Sequence, residues 1–496
     1  MKNIRRLTLA ILVILFASVG AIPALALPSG TWNTGIKVQN LSSTSSANII
    51  VMLFNQDGSI AYTLDKTANN NPLQAPPGGS VEIYLPNYPN VGSGKYSAVV
   101  SSDQPIGVIA THTNYDYGLA DSYNGMEGAA QIYVPYVYHN HNYWSTEIFV
   151  QNTSDSVVAH VYATFSDGFK TLQFPLVLPP RGMSSFDTSR PEYDVLGWFI
   201  GSAIITSAEN VPLSVLVNES RIVGAGNANG NVLVSFRGLT QSDAGKRVVL
   251  PSLYKEFSGA SGTWRSGIKI QNTTTSSVTV TVTFVADPDS PTGPWMGKRS
   301  NLNIPALGSV ELYLRNAGIL DGGASIPNMF KGYGIIDVIE PNDGKVVATV
   351  IHTNYEASGG KGVAVGYFGM ASGASRLSFP SLYGRWPSGA GQWVSGIKIQ
   401  NIGTITATVT VNFMSDPDIS NPSWTGQRSG ILLGPGQAIE LYLANPILDG
   451  GQYVPPAWKG SALVTCSELG CELVGTAIHT NYGRNVANMY MAIPIK

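Results

Sequence analysis

From Val278 to Phe284 the chain reads Val-Thr-Val-Thr-Val-Thr-Phe, and a two-residue period over β-branched positions predicts a half-buried strand. Gly267-Ile-Lys-Ile-Gln271 alternates in the same way, which places its two isoleucines toward a core and its lysine and glutamine toward solvent. Turn-forming clusters such as Pro76-Pro-Gly-Gly79 and Gly434-Pro-Gly436 interrupt these runs at short intervals. No stretch sustains a helical period. The pattern predicts an all-β chain.

The strands recur in copies. Trp32-Asn-Thr-Gly-Ile-Lys-Val-Gln-Asn40 returns as Trp264-Arg-Ser-Gly-Ile-Lys-Ile-Gln-Asn272 and as Trp393-Val-Ser-Gly-Ile-Lys-Ile-Gln-Asn401, with a drifted copy at Trp144-Ser-Thr-Glu-Ile-Phe-Val-Gln-Asn152. Val81-Glu-Ile-Tyr-Leu85, Val310-Glu-Leu-Tyr-Leu314 and Ile439-Glu-Leu-Tyr-Leu443 follow in the same order, then His-Thr-Asn-Tyr at 112–115, 352–355 and 479–482. The spacing is that of whole domains, not of solenoid repeats. It divides the chain into units at 27–127, 128–245, 246–373 and 374–496, after a leader at 1–26. About seven short strands per unit predict tandem two-sheet β-sandwich domains, immunoglobulin-like in architecture. Short joints between the units predict a rod.

The leader has the form of a secretory signal peptide. Lys2, Arg5 and Arg6 precede an apolar run at 7–22, and Ala24-Leu25-Ala26 offers a small-x-small cleavage pattern. The run is too short to span a bilayer, and no later segment predicts an integral membrane span. The expected location is secreted or cell surface. Without the three leader cations, 26 basic residues face 31 acidic ones. There is no broad basic field, which excludes a nucleic-acid partner.

Candidate chemistry is sparse. Cys466 and Cys471, the chain's two cysteines, sit at a spacing that suits a disulfide across a hairpin in an oxidising compartment. His112, Tyr115, His352, Tyr355, His479 and Tyr482 come from the repeated His-Thr-Asn-Tyr motif. Copying along the chain marks them as a structural cluster at a strand end, because catalytic constellations are rarely repeated. His139-Asn-His141 would put two imidazoles on one face of an extended segment. Asp287 and Asp289, matched by Asp416 and Asp418, lie in oxygen-rich loops that suit calcium; no other cofactor is expected. The same loops carry Trp295 and Arg299, matched by Trp424 and Arg428, where an indole beside a cation suits stacking on a surface glycan. Asn40, Asn152 and Asn272 each begin an Asn-x-Ser/Thr sequence, a glycan acceptor pattern in exported proteins.

No nucleophile elbow, phosphate loop or zinc-protease motif occurs, so the chain is read as non-enzymatic. The expected function is that of a secreted structural or cell-surface repeat protein. An adhesin or carbohydrate-binding array is the alternative, and an accessory or catalytic chain of a secreted hydrolase the third reading. The run at 491–495 resembles the opening strands of the later units, which have no mature counterpart in unit 1. The run either finishes unit 4 itself, the favoured reading, or passes to a second chain, giving a homo-oligomer or filament in which one chain's last strand completes the next chain's first unit.

Overall fold

The computed structural model describes residues 15–16, 27–28, 30–222, 230–259, 262–355, 362–387, 391–481 and 483–495. Most of residues 1–26, read above as a leader, and Tyr482 therefore lie outside the described residues. Strands dominate, joined by turns and four short 3-10 segments. Among the described residues no helix is long and apolar enough to cross a membrane.

Unit 2 shows the plan. Its eight strands are Gln131–His139, Trp144–Asn152, Ala159–Ser166, Thr171–Leu178, Met183–Asp187, Phe199–Ser207, Leu213–Arg221 and Val232–Arg237. Numbered in that order within the unit, they form two antiparallel sheets, first–sixth–third–fourth and fifth–second–seventh–eighth. Units 3 and 4 repeat this order; in unit 4 the first and second strands also pair, joining its two sheets. The immunoglobulin arrangement groups strands differently, so the likeness is one of layers, not of connection.

The sandwich cores come from the alternating faces. Val278, Val280, Val282 and Phe284 are fully buried while the threonines between them are partly exposed, as the period predicts. The second strands depart from that rule. Lys37, Lys269 and Lys398 point away from their own sandwich and are still buried, because another unit covers them.

That covering closes the chain into a ring, which corrects the expected rod. Unit 4 packs on unit 1: Lys37 pairs with Asp416, Lys459 reaches Glu82 at 2.5 Å, and Ser80 donates to Asp416 at 2.7 Å. Equivalent residues join units 3 and 4, where Lys398 meets Asp287 at 2.5 Å and Lys331 meets Glu440 at 2.7 Å. The eighth strands, Leu119–Asn124, Val232–Arg237, Val363–Phe368 and Val486–Met491, pack against one another around the ring axis. Across the closing joint Asn124 donates to the Met491 carbonyl at 2.7 Å and accepts from its amide at 3.1 Å. A rod would leave these faces in water. Their apolar surface and complementary charge favour closure instead.

The last run pairs within its own chain. Ile493 and Pro494 lie against Ser378 and Leu377 of unit 4, as Leu239 lies against Tyr133 and Met370 against Val249. Of the two readings of this run, the structure shows the one in which it finishes unit 4.

Candidate functional site

The Gly-Ile-Lys strand and the Val-Glu-Ile-Tyr strand are neighbours in each inner sheet, so their outward residues form one patch. In unit 1 Gly35 lies opposite Tyr84 and Lys37 opposite Glu82. In unit 3 Gly267 lies opposite Tyr313 and Lys269 opposite Glu311, and in unit 4 Gly396 lies opposite Tyr442 and Lys398 opposite Glu440. Ring closure sets this patch against the first and second strands of the preceding unit, which contribute a tyrosine and a tryptophan.

Three equivalent clefts result. Between units 4 and 1 a cavity of about 470 Å³ is lined by Tyr383, Trp386, Trp393 and Arg484 on one wall and by Gly35, Glu82, Tyr84, Thr113 and Tyr115 on the other. Between units 2 and 3 one of about 480 Å³ has Tyr138, Trp144 and Arg221 facing Gly267, Glu311, Tyr313, Thr353 and Tyr355. Between units 3 and 4 a smaller one of about 200 Å³ has Tyr254 and Trp264 facing Gly396, Glu440, Tyr442 and Thr480. In the cleft between units 2 and 3 the glycine gives depth, since a side chain there would meet the opposite wall. At Gly267 a Cβ would lie 2.9 Å from the Tyr136 hydroxyl.

The joint between units 1 and 2 is different. Glu147 stands where the others have glycine, Phe149 where they have lysine and Ser185 where they have glutamate. Lys95 reaches Glu147 at 3.5 Å and lies 5.1 Å from the centre of the Phe149 ring. Burial pushes the Glu147 carboxyl up despite this lysine.

Two cleft carboxylates, Glu82 and Glu440, are tied to cations, while Glu311 accepts from the Tyr136 hydroxyl at 3.2 Å. Burial would raise Glu82, but Lys459 and Lys37 outweigh it and hold the group below its ordinary value. Glu82 is therefore an ionised acceptor, not a stored proton. Aromatic rims add flat apolar faces: Tyr84 and Tyr442 are each 37% exposed. The Arg484 guanidinium lies 4.1 Å from the Tyr115 ring centre and that of Arg221 5.3 Å from the Tyr355 ring centre. These are cation–π distances.

The repeated histidines are buried, and His352 also lines the cleft between units 3 and 4. His352 and His479 are buried, and their Nδ1 atoms face the hydroxyls of Ser266 at 2.8 Å and Ser395 at 2.7 Å. Each hydroxyl also accepts a first-strand amide, from Tyr254 and Tyr383 respectively. Burial lowers both histidines to about 3. In unit 2 Glu219 takes the place of the histidine and accepts from Thr146 at 2.6 Å, with burial holding its pKa well above the ordinary value. His112 in unit 1 pairs with Asp121 at 3.0 Å. Sequence spacing treated His-Thr-Asn-Tyr as one cluster; the structure sends its histidine into the core and Tyr115 and Tyr355 into the clefts.

The remaining predicted residues are dispersed. Trp295 packs edge-on against Phe330 and Trp424 against Trp458, each closing the end of its sandwich. Arg299 and Arg428 sit beside them on the fourth strands, paired opposite Val282 and Val411. Asp287 and Asp416 are buried against Lys398 and Lys37, while Asp289 and Asp418 hold Lys331 and Lys459 at 2.8 Å and 2.7 Å. Lysine ammonium groups thus stand where the oxygen-rich loops suggested calcium. Among the described residues no group of three or more His, Cys, Asp or Glu side chains is placed to hold a metal ion. His139 and His141 part company because Asn140 turns the backbone to a φ of 52°. One ring enters the core and the other stacks on Trp198 at 4.9 Å. Cys466 and Cys471 form the disulfide.

Asn40, Asn152 and Asn272 are fully buried loop braces. Asn272 donates to the carbonyls of Ser276, Ile304 and Pro305 at 2.7–3.2 Å. Asn401, which lacks the acceptor hydroxyl, braces its own loop in the same way. The same brace thus accounts for an asparagine at all four strand ends. Replacing Asn272 with aspartate removes the donors and turns a buried carboxylate toward carbonyl oxygens, an expected loss of about 2–4 kcal/mol in urea unfolding. An unchanged midpoint would contradict the bracing role.

The cleft-forming positions escaped the sequence reading because each cleft joins residues far apart in the chain. Their one signal was the repetition of Gly-x-Lys and Glu-x-Tyr on adjacent strands.

No family model matches the chain, and no curated protein matches it. Among solved structures, the crystal structure of Thermotoga maritima 1070 matches over 25% of this chain and 96% of that one, at 17% identity and a TM-score of 0.19. A glycoside hydrolase family 32 structure from Bifidobacterium adolescentis covers 94% of this chain and 99% of its own, at 8% identity and a TM-score of 0.14.

Proposed function

We propose that this chain is an exported, non-enzymatic binding protein, secreted or held at the cell surface, whose ligand is a carbohydrate seated in the clefts between units. The observation that carries this reading is the threefold recurrence of one cleft, with tyrosine and tryptophan on one wall and glutamate, tyrosine and threonine on the other. A sugar ring offers apolar C–H faces to aromatic rings and hydroxyls to an ionised carboxylate. Three copies on one ring supply avidity for a repeating glycan.

A rod-like spacer loses its support with ring closure. A hydrolase is disfavoured by Glu82: matched by Lys459, its carboxyl is held below its ordinary value, whereas general acid catalysis calls for a raised carboxyl. The glycan surface first placed at Trp295 and Trp424 moves to Tyr84, Tyr313 and Tyr442.

The test is a glycan array followed by calorimetry on the best binder. Replacing Tyr84, Tyr313 and Tyr442 together by alanine is expected to weaken binding about tenfold or more, from about 0.5–1.5 kcal/mol per lost aromatic contact. Replacing Trp295 and Trp424 should leave affinity unchanged. No binding by the parent protein, or loss only in the Trp295 and Trp424 variant, would end the proposal.

A further inference from the structure

The joint between units 3 and 4 buries one amine against one carboxyl. Lys398 lies on the second strand of unit 4 and Asp287 just past the third strand of unit 3. Both are buried, with Nζ and Oδ2 2.5 Å apart. Both backbones are held in place. The Asp287 amide donates to the Lys331 carbonyl at 3.0 Å, and the Asp287 carbonyl accepts from the Ser290 amide at 2.9 Å. Lys398 sits in the middle of its sheet, paired with Glu440 on one side and Thr476 on the other. Two other lysines at the joints have wetter partners: Lys331 and Lys459 hold Asp289 and Asp418, whose side chains are 69% and 52% exposed.

The second oxygen of Asp287 distinguishes this pair from its counterpart, Lys37 with Asp416. At the joint between units 4 and 1, Ser80 donates to Oδ1 of Asp416 at 2.7 Å. Ser80 lies opposite Gln39, and the residue opposite Gln400 in unit 4 is Ala438, which has no hydroxyl to give. Oδ1 of Asp287 is buried with no hydrogen-bond partner among the described residues. Two buried ions with an unserved oxygen are costly, and moving a proton from nitrogen to oxygen makes both groups neutral. Burial pushes the Asp287 carboxyl up, against the pull of Lys398 and with help from Glu440. The transfer leaves a free amine in contact with a carboxylic acid, a nucleophile and an electrophile already positioned.

We propose that Lys398 and Asp287 join in an amide, a covalent cross-link between units 3 and 4 made by the folded chain itself. A bond forms between Lys398 Nζ and Asp287 Cγ, and one Cγ–O bond breaks. The two protons that the ammonium gives up leave with that oxygen as water, so no other reactant is consumed. Glu440, whose Oε1 lies 4.0 Å from Nζ, relays a proton from the nitrogen to the departing oxygen. Lys37 and Asp416 stay an ion pair, because the Ser80 hydroxyl stabilises the carboxylate. The cross-link closes a loop spanning 111 positions, which restricts the unfolded chain.

The test is the intact mass of the purified full chain after reduction of its disulfide, set against the sequence mass for its own N-terminus. A chain one water lighter is expected, with a branched proteolytic peptide joining Lys398 to Asp287. Lys398→Arg keeps the charge without the primary amine and should restore the sequence mass. Glu440→Gln should leave most freshly purified chains at the sequence mass. A parent at the sequence mass, or a loss of water that maps elsewhere or persists in Lys398→Arg, overturns the proposal. Should that variant fail to fold, the peptide map of the parent decides alone. Loss of two waters, with Lys37 joined to Asp416, overturns the role given to Ser80, and undiminished loss in Glu440→Gln overturns the relay.

Discussion

Replacing Asp416 with alanine should cost the closed ring about 3–5 kcal/mol, the usual penalty for leaving a buried charge without its partner. Asp416 lies in unit 4 and meets Lys37 and Ser80 of unit 1, all three buried. Burial pushes its carboxyl up while Lys37 and Lys459 draw it down, with burial winning. Truncation strands the Lys37 ammonium at the joint; Lys459 keeps Glu82 and Asp418. Replacing both members, Lys37→Met with Asp416→Leu, should recover most of the loss, because two matched apolar groups avoid the desolvation of two ions. Urea unfolding measures the cost and small-angle scattering reads the shape, since a ring opened at this joint has the larger radius of gyration. If Asp416→Ala changes neither quantity, units 1 and 4 do not meet in solution.

Acid should weaken the sandwiches through His352 and His479. Both have folded-state pKa values of about 3, below the roughly 6.5 of an unfolded histidine. The unfolded chain therefore binds more protons between those limits. The stability from the neutral rings is complete above about pH 6.5 and falls as pH drops toward 3. The slope is about 1.4 kcal/mol per pH unit for each histidine, on the order of 4–5 kcal/mol apiece by pH 3. Asp416, Glu147 and Glu219 act in the opposite sense. Their carboxyls are raised, so their stabilisation is present in acid and is lost as pH rises through their folded values. The measurable quantity is thus the difference between the parent and a His352→Gln, His479→Gln variant. The variant should be the weaker at pH 8, and the gap should narrow steadily from pH 6.5 to 4. A gap independent of pH would show that these imidazoles titrate normally.

The disulfide should matter far less. Cys466 and Cys471 close a loop five residues apart in sequence, and chain-entropy reasoning assigns so short a loop about 2 kcal/mol at most. A Cys466→Ser, Cys471→Ser variant is expected to fold normally, with a small drop in its urea midpoint.

Much of each sandwich was legible because a pleated strand writes its two faces into alternate residues. Val278 to Phe284 is the clearest case, and the repeated landmarks gave the number of units directly. The same alternation misled where a second surface was covered. Lys269 and Gln271 read as solvent-facing, yet the Lys269 ammonium lies 5.7 Å from the Tyr136 ring centre and Gln271 donates to the Ala203 carbonyl at 3.2 Å, both across the joint to unit 2. A polar residue beside an apolar one looks the same whether it meets water or a partner lysine. At Asn272 the pattern was ambiguous for a related reason, since acceptor patterns and loop braces share a side chain. Trp295 and Trp424 stood out by type, but their rings seal sandwich ends.

By itself the sequence determined what depends on neighbours along the chain: strand content, turn positions, the number of copies and the cysteine pair. Closure of the ring, the burial of its lysines and the three clefts were decided only in the tertiary structure. They arise where Lys37 meets Asp416, 379 positions away, and no local pattern encodes which face of one sandwich will fit the edge of another. Complementary shape and charge across the joints made that choice.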